Sequence, residues 1–216
     1  MTEQSHDHHP YTPAEELANW LSHGAGFVGS LIALPILVAS ALGQSNLQIV
    51  AVSVFAASMM LLYLASTIYH VLPPSKHKHL FRIVDHAAIY VLIAGTYTPF
   101  TLGVLRGAWG WTLFGIVWSM AIAGIVFKAL GGIRFDKLST ALYLAMGWLV
   151  VIAIKPLITL VPMAGLVWLF VGGIFYTGGV AFYAATRLKY HHFLWHLCVL
   201  AGTFCHFFAV LWYSQG

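Results

Sequence analysis

Charge is what this sequence has least of. Only 7% of its 216 residues are Asp, Glu, Lys or Arg, while 60% are hydrophobic and the mean hydropathy is +0.85. A water-soluble domain carries about 25% charged residues, so a chain this poor in charge lacks the polar surface to face water and belongs in a membrane. No nucleic-acid partner is expected. Cysteine is scarce as well. Cys198 and Cys205 sit in one apolar run and provide no disulfide framework. The opening "MTEQSHDHHPYTPAEELANW" has neither a basic n-region nor a small-residue cleavage site after an apolar core, so no removable signal peptide is expected. Period-2 alternation is missing too, which argues against a transmembrane β-barrel.

What is present is a series of apolar runs, each near the roughly 20 residues that cross a bilayer as a helix. Seven qualify, over 22–43, 48–72, 83–105, 109–129, 138–157, 161–185 and 192–213. The breaks between them, "GQSN", "PPSKHKHLFR", "RGAWG", "GGIRFDK", "KPLITLVP" and "TRLKYH", carry turn chemistry or charge. The expectation is an all-α membrane protein: a disordered tail over 1–11, then a single seven-transmembrane-helix domain over 12–216. A short N-terminal cytoplasmic helix is expected ahead of the first span, with Thr12 as N-cap and Pro13 at N1. On it Glu16, Asn19 and His23 share one face.

Lys and Arg orient the bundle. If the N-terminus lies on one side, that side also holds Lys76, Lys78, Arg82, Lys128, Arg134, Lys137, Arg187 and Lys189, against Arg106 and Lys155 on the other. The bias places the N-terminus in the cytoplasm and the C-terminus outside.

Ionisable groups within apolar spans mark sites. His70 ends the second span, just before Pro73 and Pro74. Asp85 lies near the start of the third, and His192 and His196 open the seventh. The span directions put all four at one depth, near the cytoplasmic interface. His192 and His196 are i, i+4, a spacing that lets two imidazoles bind one ion. With His70 they make the three-histidine open set of catalytic zinc, which lowers the pKa of a water toward about 7. Asp85, the one acid enclosed by these spans, is then the base or water anchor. Ser66, four residues before His70, is its expected neighbour.

Plainer readings compete. His70 can face headgroups, and Asp85 can pair with Arg82 on the same helix face. His86 points about 100° away from Asp85. His191 cannot share a face with His192. His206 lies about 15 Å deeper than His196 by helix rise and reads as a buried, hydrogen-bonded histidine. His77 and His79 read as solvated, and the "HDHH" of the tail as a loose metal binder at most.

Three segments, "STIYH" at 66–70, "FRIVDHAAIYVLIAGTYTPF" at 81–100 and "HHFLWHLCVLAGTFCHF" at 191–207, together with "EELANWLSHGAG", resemble the hemolysin III family. Those proteins are the bacterial branch of the progestin and adipoQ receptor family. The resemblance covers residue 11 to the end. It implies seven helices with the N-terminus inside, and a zinc held by His70, His192 and His196. It also implies Asp85 at the zinc's water, Ser66 behind the ligands, and a bacterial inner (plasma) membrane location. Alkaline ceramidases in the wider superfamily imply hydrolysis of a lipid amide or ester, and bacterial members imply a part in membrane-lipid homeostasis. The expected function is therefore a zinc-dependent lipid hydrolase with a membrane lipid as substrate or ligand. The competing reading is a non-enzymatic membrane-state sensor or receptor with structural zinc. A proton or ion path through His206, Asp85 and His23 is a third, disfavoured because the groups cluster at one leaflet. Nothing in these residues explains the cytolysis in the family name.

Overall fold

Thr12 closes the first helix with a capping box. Its hydroxyl accepts from Glu15 N at 3.3 Å, and the Glu15 carboxylate accepts from Thr12 N at 2.8 Å. Ser45 and Ser75 cap the next two helices through their hydroxyls, accepting from Gln48 N and Lys78 N. The computed structural model describes residues 11–132 and 134–215. Over these it runs α1 (Pro13–Ala41), α2 (Asn46–Val71), α3 (Lys76–Leu102), α4 (Ala108–Gly131), α5 (Asp136–Gly147), a 3₁₀ segment (Trp148–Ala153), α6 (Ile154–Leu160), α7 (Met163–Ala184) and α8 (His191–Tyr213). Seven stretches are long and apolar enough to span a bilayer, with Asp136–Leu160 as one of them. This is the expected seven-span all-α bundle. Of the expected tail, all but Tyr11 lies outside the described residues, including the "HDHH" histidines.

Three expected boundaries move. The short helix expected before the first span is not separate, because α1 continues unbroken for 29 residues. Gly24 and Gly26 do not end it. A Cβ on Gly26 would come within 2.8 Å of Tyr63 and Leu200, so this glycine serves close packing. The "SKHKHLFR" stretch read as a break forms the first turns of α3, launched by the Ser75 cap. "KPLITLV" stays helical until Val161, with Pro156 tolerated in the first turn of α6. The fifth span instead breaks in its middle, at the 3₁₀ segment. There the Tyr97 hydroxyl accepts from Val150 N at 2.9 Å and donates to Gly147 O at 2.8 Å. Backbone groups loosened at the break thus find a partner from α3, which lipid cannot supply.

Between lipid-facing helices the attraction is packing rather than hydrophobic transfer, so small residues set the approach. Gly165, Gly172 and Gly179 repeat every seven residues along α7. A Cβ on each would meet Tyr213, His206 or Trp195 of α8 at 2.7 to 2.9 Å. Gly178 faces open space. One buried cluster, including Leu37, Phe55, Tyr63 and Val210, joins α1, α2, α3 and α8. A second, with Tyr90, Val117 and Met146, joins α3, α4 and α5. Large apolar side chains such as Ile32, Ile122, Ile152 and Phe204 point outward, as a lipid-facing surface requires. Between α3, α5, α7 and α8 lies a cavity of about 630 Å³ with a largely apolar wall. Its α3 wall runs from Asp85 to Thr101, about 24 Å by helix rise.

Candidate metal centre

α2 ends at Val71, ahead of Pro73, and α8 starts at His191, so His70 occupies the last turn of one and His192 and His196 the first turns of the other. Antiparallel packing within the bundle brings these ends together. One ring nitrogen from each of the three histidines lies within 4.8 Å of the others, and all three side chains are buried. His191 is buried beside them without joining the set. His86 points away to Asp136. His206 sits deeper, its Nε2 3.3 Å from Leu169 O.

The Nδ1 atoms of two of the three are anchored. His70 Nδ1 donates to Glu16 Oε2 at 2.5 Å, and His196 Nδ1 donates to Asn19 O at 3.2 Å with Ser22 Oγ at 3.1 Å. That selects the tautomers that leave Nε2 with its lone pair. Lys78 locks the arrangement. Its ammonium donates to Glu16 Oε1 at 2.9 Å and to the terminal α2 carbonyls of Tyr69 and Leu72 at 3.0 and 2.9 Å. The Glu16–Asn19–His23 face of α1 is therefore the backing of this histidine set. His23 itself stacks on His196, centroids 3.5 Å apart and 8° from parallel.

On the inner side, His70 Nε2 and both nitrogens of His192 are buried with no hydrogen-bond partner. An unpaired buried polar atom costs about 1–3 kcal/mol. Two imidazoles with such atoms, and a His196 nitrogen within 4.8 Å of them, are chemically suited to a borderline-soft divalent cation such as zinc, which takes neutral nitrogen ligands. The donor set fits a metal.

Ser66 and Asp85 line the cavity together with His192 and His196. Most in-span hydroxyls bond back to their own helix, as Ser58 does to Phe55 O at 2.7 Å and Thr98 to Ala94 O at 2.8 Å. The Ser66 hydroxyl makes no such bond and lies next to the Asp85 carboxyl instead. The hydrogen bond to His70 comes from Glu16 of α1. Asp85 is buried and forms no ion pair among the described residues. Arg82 reaches Asp136 Oδ2 at 3.4 Å, beside a Lys128–Asp136 pair.

Tyr11 covers the set from the end where α1 begins. Its ring centroid lies 4.9 Å from that of His192 and 5.9 Å from that of His70. Burial, the largest cause, raises the Tyr11 phenol above its ordinary pKa, so it remains a neutral donor. The start of α1 is fastened to the α7–α8 turn, where Tyr190 N donates to Glu15 Oε1 at 2.9 Å. Tyr190 holds φ at 58°, in the left-handed region.

Comparison with known proteins adds the lineage. A family model described as haemolysin-III related matches residues 11–207. A hemolysin-3 homolog of Bacillus subtilis (strain 168) is 48% identical over 204 residues, covering 94% of this chain and 96% of the relative. Hemolysin-3 of Bacillus cereus is 48% identical over 201 residues, covering 92% and 91%. The human monocyte to macrophage differentiation factor is 25% identical over 213 residues, covering 91% and 83%.

Proposed function

The chain belongs to the haemolysin-III-related family, and from that premise we propose that it is a zinc-dependent hydrolase of lipid amide or ester bonds, acting within a bacterial plasma membrane in lipid homeostasis. The observation that carries this reading is the junction of an open three-histidine set with a buried carboxylate, Asp85, at one end of a long apolar cavity. His70, His192 and His196 hold the metal. When bound, it supplies Lewis acidity for activating water and polarising a carbonyl. Asp85 takes up the proton released at attack and returns it to the leaving group. Ser66 holds its hydroxyl beside Asp85 and orients that carboxyl toward the same water. The cavity takes the acyl chain, and its apolar wall excludes other water from the reacting bond. The amounts of product and intact lipid, measured by mass spectrometry after incubation with wild type and with folded His196→Ala, test the reading. Wild-type turnover lost in the variant is expected; equal turnover by both sinks the proposal.

A structural role for the metal has its own support: the hydrogen bonds of Glu16, Asn19 and Ser22 tie α1, α2 and α8 around the histidines, as a pin in a sensor or receptor would. Asp85→Asn separates the two. Lost turnover with metal retained favours the hydrolase. A normal cellular phenotype in that variant favours the pin.

A further inference from the structure

The basic side chains at the Asp85 end of the bundle are not equally occupied. Lys78 directs its three protons at three acceptors, Glu16, Tyr69 O and Leu72 O. Lys128, fully buried, is paired with Asp136. Arg82 has five N–H donors, yet among the described residues its one hydrogen bond is the 3.4 Å contact with Asp136, whose charge Lys128 already balances. Arg82 is partly exposed. It precedes Asp85 by three residues on α3 and its guanidinium reaches Asp136, and both carboxylates line the cavity. Tyr183 lines the cavity and contacts the His192 ring. Arg82 therefore meets the cavity wall at Asp136 with most of its donor fork unused.

Its depth matters as much as its charge. Arg82 precedes Asp85 by three residues, so it lies about 4.5 Å nearer the basic end of α3. Below Asp85 the cavity continues along α3 to Thr101 with a largely apolar wall. The order along one line is a guanidinium, then a carboxylate beside the histidine set, then an apolar slot. An amphiphile with an oxyanion at its head, a linking carbonyl next and a hydrocarbon tail has the same order. Guanidinium matches phosphate or carboxylate oxygens through paired N–H donors. The exposed Arg134 and Lys137 nearby add attraction for an anionic membrane surface.

We propose that Arg82 is the headgroup-recognition residue of this cavity, and that the lipid it takes carries an oxyanion, phosphate or carboxylate, next to the bond presented to the histidine set. The choice of bond rests on the hydrolase reading above; the headgroup preference does not.

Native mass spectrometry on the full-length, metal-loaded chain tests it. The probes are dioctanoyl phosphatidic acid, dioctanoylglycerol, octanoate and inorganic phosphate, and the background is Asp85→Asn, so that binding is read without turnover. Phosphatidic acid should bind about tenfold or more tighter than dioctanoylglycerol, the scale of one charge-assisted hydrogen bond. Arg82→Gln should erase the preference, and Arg82→Lys should keep part of it. Octanoate matching phosphatidic acid also supports the proposal and identifies carboxylate as the group. Equal binding of dioctanoylglycerol, or an unchanged preference in Arg82→Gln, overturns it. So does inorganic phosphate binding as tightly as the lipid. Metal content and elution volume verify folding of each variant; if Arg82→Gln fails, the wild-type probe series and Arg82→Lys decide. An oxyanion preference without wild-type turnover removes the hydrolase reading and leaves this one standing.

Discussion

Glu16 shows how much of a candidate metal site resides in residues outside the histidine set. It accepts from His70 and Lys78 at once, and so orients an imidazole and makes it a better donor. Glu16→Gln keeps the shape of the side chain and loses its charge. It should weaken metal binding by roughly 10–100-fold while leaving the helices intact. Competition with a chromophoric chelator, alongside circular dichroism, measures both. Unchanged affinity would mean that the Glu16–His70 bond plays no part in holding metal. The sequence made the three histidines visible because i, i+4 spacing and depth are local properties. It also put Glu16, Asn19 and His23 on one face, but not what that face touches. His70 is 54 residues from Glu16, and His196 is 177 from Asn19; such partners are set by tertiary packing. The same limit applies to Arg82. Asp85 was a possible partner by helix spacing, whereas Asp136 arrives from another span.

At the scale of the element, α7 and α8 form the wall that carries half of the site, and glycine spacing sets their separation. Gly179→Ala places a methyl carbon 2.8 Å from Trp195 and Cys198, within the first turns of α8. Overpacking of this kind costs about 1–3 kcal/mol, and it should shift His192 and His196 relative to His70. Gly178→Ala adds its methyl to open space and should be neutral. Thermal unfolding in detergent, with metal content measured on both variants, gives a paired comparison; equal effects would refute the packing account. The seven spans were legible as apolar runs because bilayer thickness dictates their length. The break at Trp148–Ala153 was not, since "GWLVVIA" is as apolar as its neighbours and the turn depends on Tyr97, about 50 residues away.

For the whole molecule, the site's meaning depends on which leaflet it faces. The α2–α3, α4–α5 and α7–α8 connections, the start of α1 and the histidine set all lie at one end of the bundle. That end carries eight of the ten Lys and Arg residues. The charge bias predicts that this end faces the cytoplasm. An odd number of spans would then put the C-terminus outside. Alkaline phosphatase fused after residue 216 should be active, and green fluorescent protein at the same point dark. Fusions after Arg187 should show the reverse. The opposite pattern would turn the histidine set, with Arg82 and Asp85, toward the outer leaflet. The lipid reaching it would then come from a different pool, so topology decides which leaflet's lipids any hydrolysis or headgroup selection acts upon.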